Sequence, residues 1–224
     1  MNYVFQFGFV WREFDLLLLG AWLTIKLSAG AMFFGLIVGI ACAQAKASRW
    51  PALRAGVQAY VEAIRNTPFL VQLLLIYLGL PSIGIKLLPS EAALLAMVVN
   101  VGAYSTEIVR AGIESVPRRH IEAGQALGLK PWQIFRFIIL IPALRAVFPA
   151  LGSQFILVML ASSVVSVISA EELTAVADMI VARNFRSFEF YLVATGMYLA
   201  MSFAFQALFA LIDRWLFAPW SKEA

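Results

Sequence analysis

The sequence predicts an all-α polytopic membrane protein with five transmembrane helices, its N-terminus outside and its C-terminus inside. Three observations carry that expectation. The 224 residues are 62% hydrophobic and only 13% charged, where a soluble domain carries about 25% charged residues, and mean hydropathy is +0.86. The charge is missing from long runs: 66–85, 146–170 and 190–212 hold none over 20, 25 and 23 positions, and 27–45 and 92–106 none over 19 and 15. About 20 apolar residues in a helix cross the hydrocarbon layer, and backbone groups in lipid must be satisfied within the segment, which selects helices. Spans are therefore expected at about 16–43, 61–80, 90–111, 146–169 and 190–212. With the N-terminus outside, twelve Lys and Arg fall in inner segments and four, Arg12, Lys86, Arg183 and Arg186, in outer ones. That asymmetry obeys the positive-inside rule.

The first span follows Arg12, Glu13 and Asp15, which is not the layout of a cleavable signal. Its Lys26 reads as a snorkelling residue and its Cys42, the one cysteine, as a small buried hydrophobe. Arg65, Asn66, Thr67 and Pro68 open the second span. Pro68 lacks an N–H and frees a carbonyl, so this stretch is either a partly unwound wall of a solute path or a simple kink. In the third span Glu107 lies three residues before Arg110. An acid at membrane depth is a functional candidate, and an i,i+3 pair that lets both side chains snorkel is the bland alternative. The fourth span carries Gln154 and then Ser162, Ser163, Ser166 and Ser169, a polar stripe that suggests a path-facing side, although serines in membranes also bond back to their own helix. The segment between the last two spans, 171–189, is expected outside and is richer in acid. Five spans do not divide into equal halves, so symmetry is expected from pairing with a second copy or a similar chain.

One stretch breaks the apolar pattern: RRHIEAGQALGLKPWQIFRFIIL, 118–140. Pro117 suits a helix start, Gly128 a left-handed C-terminal stop, and Pro131 a restart. A helix–Gly–helix hairpin is expected within a cytoplasmic loop at 112–145, its second half lying along the membrane surface. An ordinary surface loop is the plain alternative, but a helix of small residues, Ala123, Gly124 and Ala126, suits insertion into a groove on a partner.

This stretch resembles the EAA loop of the membrane subunits of binding-protein-dependent ABC importers, with Glu122, Ala123, Gly124, Gly128, Ile138 and Leu140 at that family's spacing. Gly124 stands where the family has a second Ala, and Pro142 comes one residue late, which shifts the expected bend into the fourth span. GAWLTIKLS in the first span, together with 62–81, 103–117 and 142–156, resembles the polar amino-acid permease branch. That branch often has Lys-Asp-Thr-Ser where this chain has Leu160, Ala161, Ser162 and Ser163.

The resemblance implies a single transmembrane domain over 1–224 that moves polar amino acids across a bacterial cytoplasmic (inner) membrane. Glu122, Ala123, Gly124 and Gly128 would couple it to a dimer of ATPase subunits, and Glu107, Arg65, Asn66, Thr67, Ser162 and Ser163 are candidates for the substrate path. Its implied partners are that ATPase dimer, a second permease chain, identical or paralogous, an extracytoplasmic solute-binding protein, an amino-acid substrate and the lipid bilayer, with no nucleic acid. ATP and Mg would be used by the ATPase partner and no cofactor or metal by this chain, in line with the lack of a GxxxxGK[ST] phosphate loop. Two other classes fit the composition. An ion-coupled secondary transporter or channel needs buried acids along several spans, where Glu107 alone qualifies. A membrane enzyme needs a catalytic set, and His120 on the loop has no partners for one.

Overall fold

The computed structural model describes residues 5–217. Helix α1 (Gly8–Arg12) leads into α2 (Phe14–Lys46), followed by α3 (Pro51–Arg65), α4 (Phe69–Gly79) with a 3-10 turn (Leu80–Ile83), and α5 (Pro89–Glu114). Then come α6 (Arg118–Ala126), α7 (Pro131–Ile134), a π-helical turn (Phe135–Ile139), α8 (Leu140–Ala161), a 3-10 segment (Ser162–Ile168), α9 (Leu173–Asn184) and α10 (Ser187–Phe217). No strand occurs among the described residues. Four helical stretches are long and apolar enough to cross a membrane, and five if the bent pair Pro51–Arg65 and Phe69–Ile83 is one span.

The bundle is built on the contact of α2 with α5, the most extensive helix pair. The buried face of α2 is made of small residues, among them Gly20, Ala21, Thr24, Ser28, Ala31, Gly35, Gly39 and Ala43. Its large side chains, Leu18, Trp22, Phe33, Phe34 and Ile37, point outward. That is the reverse of a soluble helix and suits lipid, where association comes from close backbone packing rather than from burying large apolar groups. The approach is tight: a Cβ on Gly39 would stand 2.5 Å from Ser105 Cβ and 2.9 Å from the Ser105 carbonyl carbon. One on Gly35 would stand 2.5 Å from Val101 Cγ1, and one on Gly102 2.8 Å from Val38 Cγ1. Around this seam, Leu73 of α4 and Val158 of α8 join Ala31, Ala93, Ala96 and Val101 in the central core. A second core, with Leu17, Leu173, Ile180 and Phe190, ties α9 and α10 to the N-terminal end of α2.

Three expectations change. The second span, expected over 61–80, is broken: 61–65 belong to α3, which meets the next helix at 109°. Pro68 leaves the Ile64 carbonyl without a helical partner, and Gln72 supplies one. Its Nε2 donates to Ile64 O at 2.7 Å and to Thr67 O at 3.0 Å, while its Oε1 accepts from Asn100 Nδ2 at 3.0 Å. Second, the later arm of the hairpin is not a separate helix but the start of a continuous helical stretch, Pro131–Ile168. Pro142 does not interrupt this stretch. The π-helical turn before it, closed by Leu140 N–H donating to Phe135 O, widens the helix locally where the missing donor would otherwise break the ladder.

Third, the acid-rich segment 171–189, read as a loop between spans, is largely helical and packed into the bundle. Much of it is α9, laid so close to α2 that a Cβ on Gly20 would stand 2.9 Å from Leu173 Cα. Glu172 and Glu189 are fully buried. The Glu172 carboxylate caps α9 by accepting from Ala175 N–H at 2.7 Å and also accepts from the Tyr198 hydroxyl, while Leu173 N–H donates to Thr24 Oγ1 at 3.0 Å.

The seam leads to a test. Gly39→Val is expected to cost about 1–3 kcal/mol by overpacking, read as a lower melting midpoint of the solubilised protein. Gly30→Ala, whose added Cβ meets only the end of Leu94 at 3.4 Å, should leave the midpoint unchanged; equal midpoints for both variants would refute the seam.

Candidate functional site

Polar side chains converge at the end of the bundle where α2 and α5 finish. Helix α3 is amphipathic: Val57, Tyr60, Val61 and Ile64 recur at helical spacing on one face, and Arg54, Gln58, Glu62 and Arg65 on the other. Val61 is buried, and the Tyr60 hydroxyl donates to Val99 O at 2.6 Å, fastening α3 to α5. The elbow at Pro68 swings α3 across the bundle end, so that its polar face looks at the last turns of α5. Between them lies a cleft of about 700 Å³ whose walls include Lys46, Glu62, Arg65, Tyr104, Glu107 and Arg110.

The charges on its walls form a chain. Lys46 Nζ donates to Glu107 Oε1 at 2.7 Å, Arg110 Nη2 to Glu107 Oε2 at 3.0 Å, and Arg110 Nη1 to Glu114 Oε1 at 2.8 Å. Lys46 and Glu107 are the sheltered members, with side chains 14% and 21% exposed. Both Glu107 oxygens are therefore engaged, and the pairing weighed at sequence level with Arg110 is present but shared with Lys46. Arg65 stands apart: its guanidinium lies over the Tyr104 ring at 5.4 Å from the centroid, and it has no ion pair among the described residues.

The expected path residues do not all meet. Arg65, Asn66 and Glu107 line the cleft. Thr67 is turned into the elbow, its Oγ1 donating to Ala63 O at 2.7 Å and accepting from Gln72 at 2.9 Å. Ser162 and Ser163 lie on the 3-10 segment, not on the cleft walls, and donate to Met159 O at 2.7 Å and Leu160 O at 2.8 Å. Residues three apart eclipse in a 3-10 helix, so the expected serine stripe divides. Ser162 shares a buried face with Val165 and Ile168, whereas Ser166 and Ser169 line a cavity of about 560 Å³ at the other end, beside Glu171 and Asp178.

The hairpin forms at Gly128, where φ is +72°. Leu129 N–H donates to Gly124 O at 3.1 Å and Gly128 N–H to Gln125 O at 2.9 Å, the two bonds of a Schellman stop. Glu122 and Ala123 are exposed on α6. Gly124 is not: it is buried, and a Cβ there would meet Ile138 Cδ1 at 2.5 Å. Its smallness serves the closure of the hairpin rather than an outer surface. Sequence reasoning missed Gln72, Asn100 and Tyr104 as polar anchors and Glu172 as a buried cap. A lone Gln four residues after Pro68 in an apolar run was the one local signal. No group of three or more metal-ligating residues occurs among the described residues.

Comparison with known proteins bears on this geometry. Residues 35–218 match the family described as binding-protein-dependent transport system inner membrane component. The glutamine transport system permease protein GlnP of Escherichia coli K12 is 33% identical over 213 residues, covering 94% of this chain and 97% of that protein. The L-cystine transport system permease protein TcyB of Bacillus subtilis is 36% identical over 196 residues, covering 87% and 84%. A crystal structure of an amino acid ABC transporter with histidines superposes with a TM-score of 0.90 at 35% identity, covering 95% of this chain and 99% of that one.

If the ion chain holds α2 to α5, Lys46→Met and Glu107→Gln should be coupled. A double-mutant cycle of unfolding in mixed micelles is expected to return about 1 kcal/mol of interaction, modest because both groups keep some solvent. Strictly additive effects would dissolve the pair as a structural element.

Proposed function

The chain belongs to the family of inner membrane components of binding-protein-dependent transport systems, and from that premise we propose that it imports polar amino acids as the permease subunit of an ATP-driven transporter. The carrying observation is the match to an amino acid ABC transporter along 95% of the chain at 35% identity, with glutamine and L-cystine permeases as relatives. Members of this family are multi-pass, non-catalytic membrane subunits. ATP and Mg are handled by a dimer of ATPase subunits, and an extracytoplasmic solute-binding protein delivers the amino acid. A second permease chain completes the path through the bacterial inner membrane.

The hairpin end faces the cytoplasm in this scheme, with the N-terminus outside. The clustering of Lys46, Arg49, Arg54, Arg118 and Arg119 toward that end supports this orientation. The α6 hairpin is the coupling element: Glu122 and Ala123 present the docking face, while Gly124 and Gly128 give the hairpin its shape. Arg65, Asn66 and Glu107 belong to the substrate path, Glu107 as the centre of the ion chain on the cleft wall. Thr67, Ser162 and Ser163 satisfy backbone carbonyls and shape the helices that border it.

Reconstitution with the ATPase subunit and binding protein, followed by uptake of a panel of labelled amino acids, is expected to show ATP-dependent accumulation. Uptake driven by an ion gradient without ATP would instead identify a secondary transporter. For the hairpin, Glu122→Lys and Gly128→Val should insert normally yet lose co-purification with the ATPase. The valine costs about 1 kcal/mol or more, because a β-branched residue is strained at positive φ. Full transport with full co-purification in Gly128→Val would end the coupling assignment.

A further inference from the structure

The cleft between α3 and α5 has a charge pattern that its own residues leave incomplete. Of the six charged residues on its walls, Lys46, Arg110, Glu107 and Glu114 neutralise one another in the ion chain. One cation and one anion remain, Arg65 and Glu62. They stand three residues apart on one face of α3, at a spacing where opposite charges commonly pair, yet no ion pair joins them among the described residues. Glu62 has one oxygen occupied by Gln58 Nε2, which leaves the other open. Arg65 has its guanidinium over the Tyr104 ring, 5.4 Å from the centroid, and no hydrogen bond or ion pair joins it to another described residue. A cation–π contact uses none of the guanidinium N–H groups, which remain available in the fork that matches a carboxylate.

A ligand that completes this pattern carries a carboxylate and an ammonium a few ångströms apart. We propose that the cleft is a vestibule for the zwitterionic head group of an α-amino acid, with Arg65 taking the carboxylate and Glu62 the ammonium. The side chain of the ligand points into the remaining space, so the vestibule reads the head group and not the side chain. Glu107 is not the ammonium partner, since two cations, Lys46 and Arg110, already neutralise it; it holds both away from the ligand's carboxylate. The proposal deepens the importer assignment above and rests on it for the substrate class.

The test uses the full chain with its ATPase subunit in lipid nanodiscs, carrying Cys42→Ala and a reporter Ala47→Cys on the cleft wall. L-Glutamine and L-histidine are both expected to slow alkylation of the reporter. The two halves of the glutamine head group, 4-aminobutanamide and glutaramate, should not. Arg65→Gln and Glu62→Gln should each raise the half-protecting concentration about tenfold, the factor carried by about 1.4 kcal/mol from one charge-assisted contact. Arg54→Gln, outside the cleft, should not change it. Equal protection by either half-molecule, or unchanged protection in Arg65→Gln, overturns the vestibule. So does ATP-driven uptake of amino acids without any protection of the reporter. Protection without uptake of any amino acid keeps the vestibule and overturns the importer assignment instead.

Discussion

Backbone contact between α2 and α5 is the constraint on which the rest depends. Gly35 and Gly39 on one helix and Gly102 on the other leave no room for a Cβ, so the two axes are drawn together and their sliding is fixed. That register decides which residues meet at the ends. At one end it brings Lys46, the last residue of α2, against Glu107 on the penultimate turns of α5. At the other it leaves Gly20 and Thr24 exposed to a third helix, and α9 fills the space. In a lipid solvent, large apolar side chains gain little by turning inward, so small residues carry the specificity of the fold.

The second organising element is the elbow after α3. A proline in an apolar helix normally leaves an unsatisfied carbonyl, costly where water is absent. Here Gln72 and Asn100 complete the hydrogen bonding, which makes a 109° turn tolerable at the border of the bundle. The cleft is a product of this turn: without it the polar face of α3 would continue the axis of α4 and never face α5. The cleft thus rests on a backbone irregularity stabilised by two amides that carry no charge.

What the sequence showed and what it hid divide by range. The charge-free runs located the long helices because composition over about 20 residues is a local property. The Gly128 stop was legible for the same reason, since a C-terminal glycine closes its own helix through neighbours within a few residues. Lys46 and Glu107 are 61 residues apart, and nothing near either one announces the other. Glu172 misled by composition: its segment looks like a polar loop, and only the packing of α9 against α2 takes it out of water. Gly124 misled by phase, because the side of α6 that turns inward is set by Ile134 and Ile138 across the hairpin. The π-helical turn before Pro142 was not legible either, because a one-residue π insertion leaves no mark in the sequence.

That unbroken stretch from Pro131 to Ile168 has a mechanical meaning. At about 1.5 Å per residue, 38 residues make a rod of roughly 55 Å, rooted in the hairpin and ending in the 3-10 segment beside α9. A continuous helix passes part of a push at its foot on as tilt and torsion. Tilt moves its two ends in opposite directions about whatever point the surrounding helices grip. Here close contacts run along the rod: an added Cβ on Gly112 would stand 2.1 Å from Val147 near the hairpin end, and one on Gly152 would stand 3.1 Å from Phe209 further along. A displacement of the hairpin is thereby shared with the helices that hold the rod along its length.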